Sequence, residues 1–139
     1  MQPIKSYDIP QIMEVEKIIR KDPTVQYSDI DLAIKAGINV YKLRIGFKQI
    51  FHTTIHQYRL GLRLEIAKNL LDQTDMTVAE IAYKAGFDTR DGLRMCFQRK
   101  FNKCPREWRI AAAGGEGNSG LVIPLSIPEI SGKKYYGAY

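Results

Sequence analysis

The chain repeats itself at a spacing of about fifty residues, and the length of that repeat restricts each copy to a single supersecondary unit. Asp31-Leu-Ala-Ile-Lys-Ala-Gly37 returns as Glu80-Ile-Ala-Tyr-Lys-Ala-Gly86, forty-nine positions on. One inserted residue follows. Leu43, Arg44, Phe47, Phe51, Tyr58 and Arg59 then pair with Leu93, Arg94, Phe97, Phe101, Trp108 and Arg109, fifty apart. The shared positions are apolar residues at helical spacing plus a glycine between two helices, so each copy reads as a helix-turn-helix. A plain helical-hairpin repeat is the alternative. Solenoids of that kind need about three units to bury their faces, and this chain has two.

The helix ends support this reading. Thr77-Val-Ala-Glu80 is a capping box, with Met76 and Ile81 placed as its hydrophobic staple, and Ser28 with Asp31 is a weaker copy. Gly37 and Gly86 follow their helices where the chain must turn through a left-handed conformation, which a residue lacking Cβ adopts freely. Asn39 and Thr89 are suited to cap the next helices, whose inward stripes are Leu43, Phe47, Ile50 and Phe51 in one copy and Leu93, Phe97 and Phe101 in the other.

Around the copies, residues 9–21 form an amphipathic pattern on Ile12, Val15, Ile18 and Ile19, expected to cap the first unit. Residues 60–72 read as a linking helix with Leu64, Ala67, Leu70 and Leu71 on one face. At about 1.5 Å per residue that is a fairly rigid spacer of roughly 20 Å. The expected architecture is all-α, two helix-turn-helix subdomains joined by a long linking helix, about seven helices in all. Its organisation is an extension at 1–8, subdomains at 9–59 and 73–110 flanking the linking helix at 60–72, and a Gly-rich linker and tail at 111–139. Within that tail Pro124 and Pro128 break any regular ladder, so a loosely held segment is favoured over a strand or a docking segment.

The formal net charge of +6 is concentrated. From Lys35 to Arg109 there are fifteen Lys or Arg against seven Asp or Glu, so the centre is basic and the flanks together are slightly acidic. A concentrated positive field attracts a polyanion, of which nucleic acid is the commonest. The prolines of the apolar stretch from Leu121 to Ile130 exclude a membrane-spanning helix, and the start of the chain lacks a secretory pattern, so a cytoplasmic location is expected. Cys96 and Cys104 read as packing residues in a reducing compartment. With His52 and His56 they invite a zinc site, but the cysteines are eight apart and fall in the other copy. His52 aligns instead with Asn102 at a helix end, where both residue types tolerate a left-handed turn. No metal or cofactor is expected. No phosphate-binding glycine loop, no nucleophile with a base and no paired-carboxylate motif is present, which argues against an enzyme.

The stretch from Thr77 to Arg109, with Glu80-Ile-Ala-Tyr-Lys-Ala-Gly-Phe87, Phe97, Phe101, Pro105 and Trp108-Arg109, resembles the signature of the AraC/XylS regulators. The first copy agrees through Leu43, Phe47-Lys48, Tyr58 and the run from Arg63 to Leu71, so the resemblance covers about residues 9–110. It implies two subdomains that each insert their second helix into the major groove of double-stranded DNA. It also implies that a separate sensing domain often precedes such a pair.

The outward faces fit that role. Tyr41, Arg44, Ile45 and Lys48 lie opposite Leu43 and Phe47, and Arg90, Asp91, Arg94, Met95 and Gln98 lie opposite Leu93 and Phe97. The expected base-reading set is Tyr41, Arg44, Ile45, Arg90, Asp91, Arg94, Met95 and Gln98, with Arg44 and Arg94 foremost, because arginine pairs bidentately with guanine and glutamine with adenine. Ile45 and Met95 depart from the polar residues that many relatives carry. They either press on thymine methyl groups or belong to the core, the ordinary fate of apolar helical residues. Phosphate contacts are expected from Lys48, Arg99 and Lys100, and at the helix starts marked by Asn39 and Thr89. Arg59 and Arg109 are expected to hold each unit together. The domain is expected to act as a monomer on an asymmetric site. The rival reading is a non-enzymatic adaptor contacting RNA polymerase; its interface would be poor in lysine and rich in exposed aromatics.

Overall fold

Residues 4–113 are described by the structure, a computed structural model. Among them lie a short 3-10 turn, Ser6–Asp8, and seven helices: α1 Ile9–Lys21, α2 Asp29–Ala36, α3 Val40–Phe51, α4 Ile55–Gln73, α5 Val78–Lys84, α6 Arg90–Phe101 and α7 Pro105–Ala113. No strand occurs among the described residues. The chain divides into two compact units between Leu60 and Gly61. Three alanines, strong helix formers, carry α7 into the start of the expected Gly-rich linker; the tail beyond lies outside the described residues.

In the first unit α1 turns one stripe inward, and Ile12, Val15 and Ile19 are fully buried against solvent. This helix packs on α2 and α3, and Gly46 of α3 is the point of close approach. A Cβ added there would collide with Ile12 Cδ1 and lie 3.2 Å from Ile4 Cδ1. Gly46→Val should therefore overpack this contact and lower stability by about 1–3 kcal/mol, measured by urea unfolding. A variant as stable as the parent would show that α1 does not seat on Gly46.

The helix ends follow the residues expected of them. The Ser28 hydroxyl accepts from Asp31 N at 3.0 Å while the Asp31 carboxylate accepts from Ser28 N at 3.1 Å, and Thr77 with Glu80 repeats the arrangement at 3.1 and 2.8 Å. Gly37 and Gly86 have φ of 71° and 91°, and His52 and Asn102 close α3 and α6 at 62° and 63°. The linking helix differs in extent, beginning at Ile55 rather than residue 60 and ending at Gln73. Its start is set by Thr54, whose hydroxyl accepts from Gln57 N at 3.1 Å while its carbonyl accepts from Tyr58 N at 2.9 Å.

Each unit closes on the same constellation. Phe47, Phe51 and Tyr58 pack with ring centroids 4.6–5.9 Å apart, and Phe97, Phe101 and Trp108 repeat this at 4.5–5.8 Å. The polar end of the last ring is satisfied by a carboxylate in both. Tyr58 OH donates to the buried Glu16 at 2.5 Å, and Trp108 Nε1 donates to Asp72 at 2.8 Å. The following arginine fastens the chain ahead of the helix-turn-helix: Arg59 donates to the Tyr27 carbonyl at 2.7 Å, and Arg109 donates to the carbonyls of Met76 at 2.5 Å and Thr74 at 3.1 Å. Both arginines thus hold their units together, as expected of them. Burial lowers the pKa of the Arg59 guanidinium, and Asp29 nearby opposes that shift.

Candidate nucleic-acid interface

The surface on offer in each unit is the outer side of the helix that follows the glycine turn. Leu43 and Phe47 bury one side of α3, which leaves Tyr41, Arg44 and Lys48 exposed on the other and Ile45 half-buried. On α6, Leu93 and Phe97 are buried while Arg90, Asp91, Arg94, Met95, Gln98 and Arg99 are exposed. Met95 keeps 57% of its surface in solvent, so it is not a core residue; Ile45 sits between the two alternatives.

Both helices start with a capped, open end. Asn39 Oδ1 accepts from Tyr41 N at 2.8 Å and from Lys42 N at 3.3 Å; the Thr89 hydroxyl accepts from Gly92 N at 2.9 Å. These side chains therefore satisfy first-turn amides. Lys48 and Arg99 are exposed, but Lys100 is half-buried with its ammonium 5.8 Å from the centre of the Phe101 ring. Burial lowers its pKa, and Glu65 nearby opposes that shift.

A carboxylate lies beside each of the two foremost arginines. Arg44 Nε donates to Asp29 Oδ2 of α2 at 3.0 Å, and Arg94 Nε lies 3.8 Å from Asp91 Oδ1 on its own helix. Arg90, Asp91 and Arg94 line one groove together with Val78 and Arg106. Asp29 and Arg106 were not singled out from the sequence, since nothing in the helical periodicity marks which surface charge faces another helix. Two further ion pairs lie in the first unit, one between the 3-10 turn and α3 and one within α1 at i,i+4 spacing. The Lys42 ammonium reaches Asp8, almost fully buried, at 3.2 Å, and Arg20 Nε lies 3.2 Å from Glu16. A bond from the Lys5 backbone holds the Asp8 carboxyl below the usual carboxylate range.

Among the described residues no group of His, Cys, Asp and Glu gathers that could hold a metal, and no helix is long and apolar enough to cross a membrane.

A model of the helix-turn-helix domain family matches residues 32–111, more than half of the chain, from within α2 to within α7. The chain belongs to this family, as an AraC-type domain. Among relatives, the AraC-type domain is 27% identical over 120 residues to the HTH-type transcriptional regulator GbdR of Pseudomonas aeruginosa, covering 86% of this chain and 32% of that protein. It thus spans about a third of the length of that relative. Among solved structures, the AraC-type transcriptional regulator of Chromobacterium violaceum is 28% identical with a TM-score of 0.68, covering 78% of this chain and 97% of that one. The DNA-binding domain of AdpA, solved in complex with a target DNA, shares the fold at 24% identity and a TM-score of 0.72, covering 76% of this chain and 96% of that one.

Proposed function

We propose that this AraC-type domain binds double-stranded DNA sequence-specifically, each unit laying its second helix, α3 or α6, in a segment of major groove, and so serves a bacterial transcription regulator in the cytoplasm. The observation that carries the reading is the matched pair Arg44 and Arg94. They stand at equivalent repeat positions on two equivalent helices, and both are about half-exposed on the side opposite the core. Arginine presents a planar fork that fits guanine O6 and N7, and exposed Gln98 offers the amide that fits adenine. Tyr41, Ile45, Arg90, Asp91 and Met95 complete the base-facing set, while Lys48, Arg99, Lys100 and the helix starts at Asn39 and Thr89 serve the phosphates. A face of Arg, Lys and Gln favours DNA over an RNA polymerase surface as the primary partner, since protein interfaces are depleted of lysine at their centres. On this reading the domain is a binding module without catalytic chemistry, and it acts as a monomer.

Selection of binding sites from random duplex DNA tests the proposal. The expected result is enrichment of one asymmetric site with two separate blocks of preferred bases, bound more weakly as salt rises because counterions are released from the phosphates. Failure to enrich any sequence, with salt-dependent binding to all duplexes alike, would leave only a non-specific basic surface and contradict the reading.

A further inference from the structure

Arg44 and Arg94 occupy equivalent places in the repeat, yet their surroundings differ at one aligned position. Asp29 is the first residue of α2 and Val78 the first residue of α5, forty-nine apart, each directly after the capping hydroxyl of Ser28 or Thr77. In the first unit the Asp29 carboxylate reaches across from α2 and accepts from Arg44 Nε at 3.0 Å, with the two side chains 50% and 32% exposed. This engages Nε and leaves Nη1 and Nη2 without a protein partner among the described residues. Those two nitrogens form the end of the guanidinium fork that can donate two parallel hydrogen bonds to guanine O6 and N7. In the second unit Val78 offers no acceptor. The nearest acid to Arg94 is Asp91, whose 3.8 Å separation is beyond hydrogen-bond length, and both side chains are more exposed, at 52% and 77%.

We propose that Asp29 is a positioning residue for Arg44, holding its guanidinium so that the first unit discriminates guanine sharply, while Val78 gives Arg94 no such hydrogen-bonded restraint and leaves the second unit more permissive. This rests on the reading of Arg44 and Arg94 as base-reading residues. The ion pair contributes little to stability at such exposure. Its effect is on ordering, because fixing a free, rotamer-rich side chain at an interface costs about two- to ten-fold in affinity. The carboxylate also repels phosphate, so it weakens binding to sequences where Arg44 finds no guanine to repay it.

The experiment uses the whole chain and a fluorescent duplex carrying the selected site. The base pair read by Arg44 is the one whose preference Arg44→Ala removes, and the readout is the ratio of dissociation constants for that pair against its replacement. Asp29→Ala should lower the ratio roughly two- to ten-fold, leave affinity for random duplex equal or higher, and change nothing further in an Arg44→Ala background. Circular dichroism melts set the assay temperature well below unfolding of every variant, so a loss of fold cannot mimic the effect. Val78→Asp places an acid in a first helical turn that welcomes one, and should raise discrimination at the pair read by Arg94. An undiminished ratio for Asp29→Ala, where Arg44→Ala lowers it, would overturn the positioning role alone. No effect of Arg44→Ala would overturn the base-reading assignment and this inference with it. An unchanged ratio for Val78→Asp would overturn the claim that this position separates the two units.

Discussion

Phe97→Ala should cost the second unit about 3–5 kcal/mol of stability, read as a lower urea midpoint at unchanged slope. Phe97 is fully buried, and its ring lies 4.5 Å from that of Phe101 and 5.8 Å edge-on to that of Trp108. Removing it deletes the fully buried ring of a mutually packed three-ring cluster that also holds α6 to α7. The surrounding helices are tied by fixed bonds, Trp108 to Asp72 and Arg109 to the carbonyls of Thr74 and Met76, so the cavity has little freedom to collapse. That places the cost toward the upper end of the range seen for such truncations. Since small domains are stable by only about 5–15 kcal/mol, the variant should leave the second unit marginal at ambient temperature. A loss under about 1 kcal/mol would show that the aromatic cluster does not carry the core.

The second large effect is on recognition. Replacing both Arg44 and Arg94 by alanine should remove about 2–6 kcal/mol of discrimination between the selected site and random duplex, one bidentate contact of about 1–3 kcal/mol from each. The two losses should add, because the residues lie in separate units and pair with different acids. Folding should survive, since both side chains are about half-exposed and alanine is the best helix former. Binding to random duplex should fall much less, because Lys48 and Arg99 remain exposed to meet phosphates. Titration of labelled specific and random duplexes with the doubly substituted protein measures both quantities. A specificity ratio within about two-fold of the parent would remove arginine from the centre of the account.

What could be read from the residues is what depends on local pattern and on the repeat. Helix α1 has the bounds its apolar spacing implies, and the capping boxes, the glycine turns and the left-handed His52 and Asn102 lie where their side-chain chemistry places them. The roles of Arg59 and Arg109 were legible because both follow an aromatic residue at matched positions. What escaped depends on partners brought together by folding. Asp8 meets Lys42 across 34 residues and Glu16 meets Tyr58 across 42, and nothing in the local pattern names either partner. Glu16 falls on the same helical stripe as Ile12 and Ile19, where an apolar residue is the ordinary occupant. The start of α4 was legible in principle and was set too late, since Thr54 is a local cap and Ile55, Tyr58 and Leu62 continue the buried stripe to the first residue of the helix. At the candidate interface the outward residues were legible from helical geometry. The restraint of Arg44 was not, because Asp29 reaches it from a different helix.

The central claim is that the two repeated units read separate stretches of one asymmetric site, each through its own arginine. Repeating the random-duplex selection with Arg44→Ala and with Arg94→Ala measures this directly. The account expects each variant to lose preference in one block of bases and keep it in the other, with the two blocks not overlapping. Two variants that both recover the parent site in full, or that both relax the same positions, would contradict it.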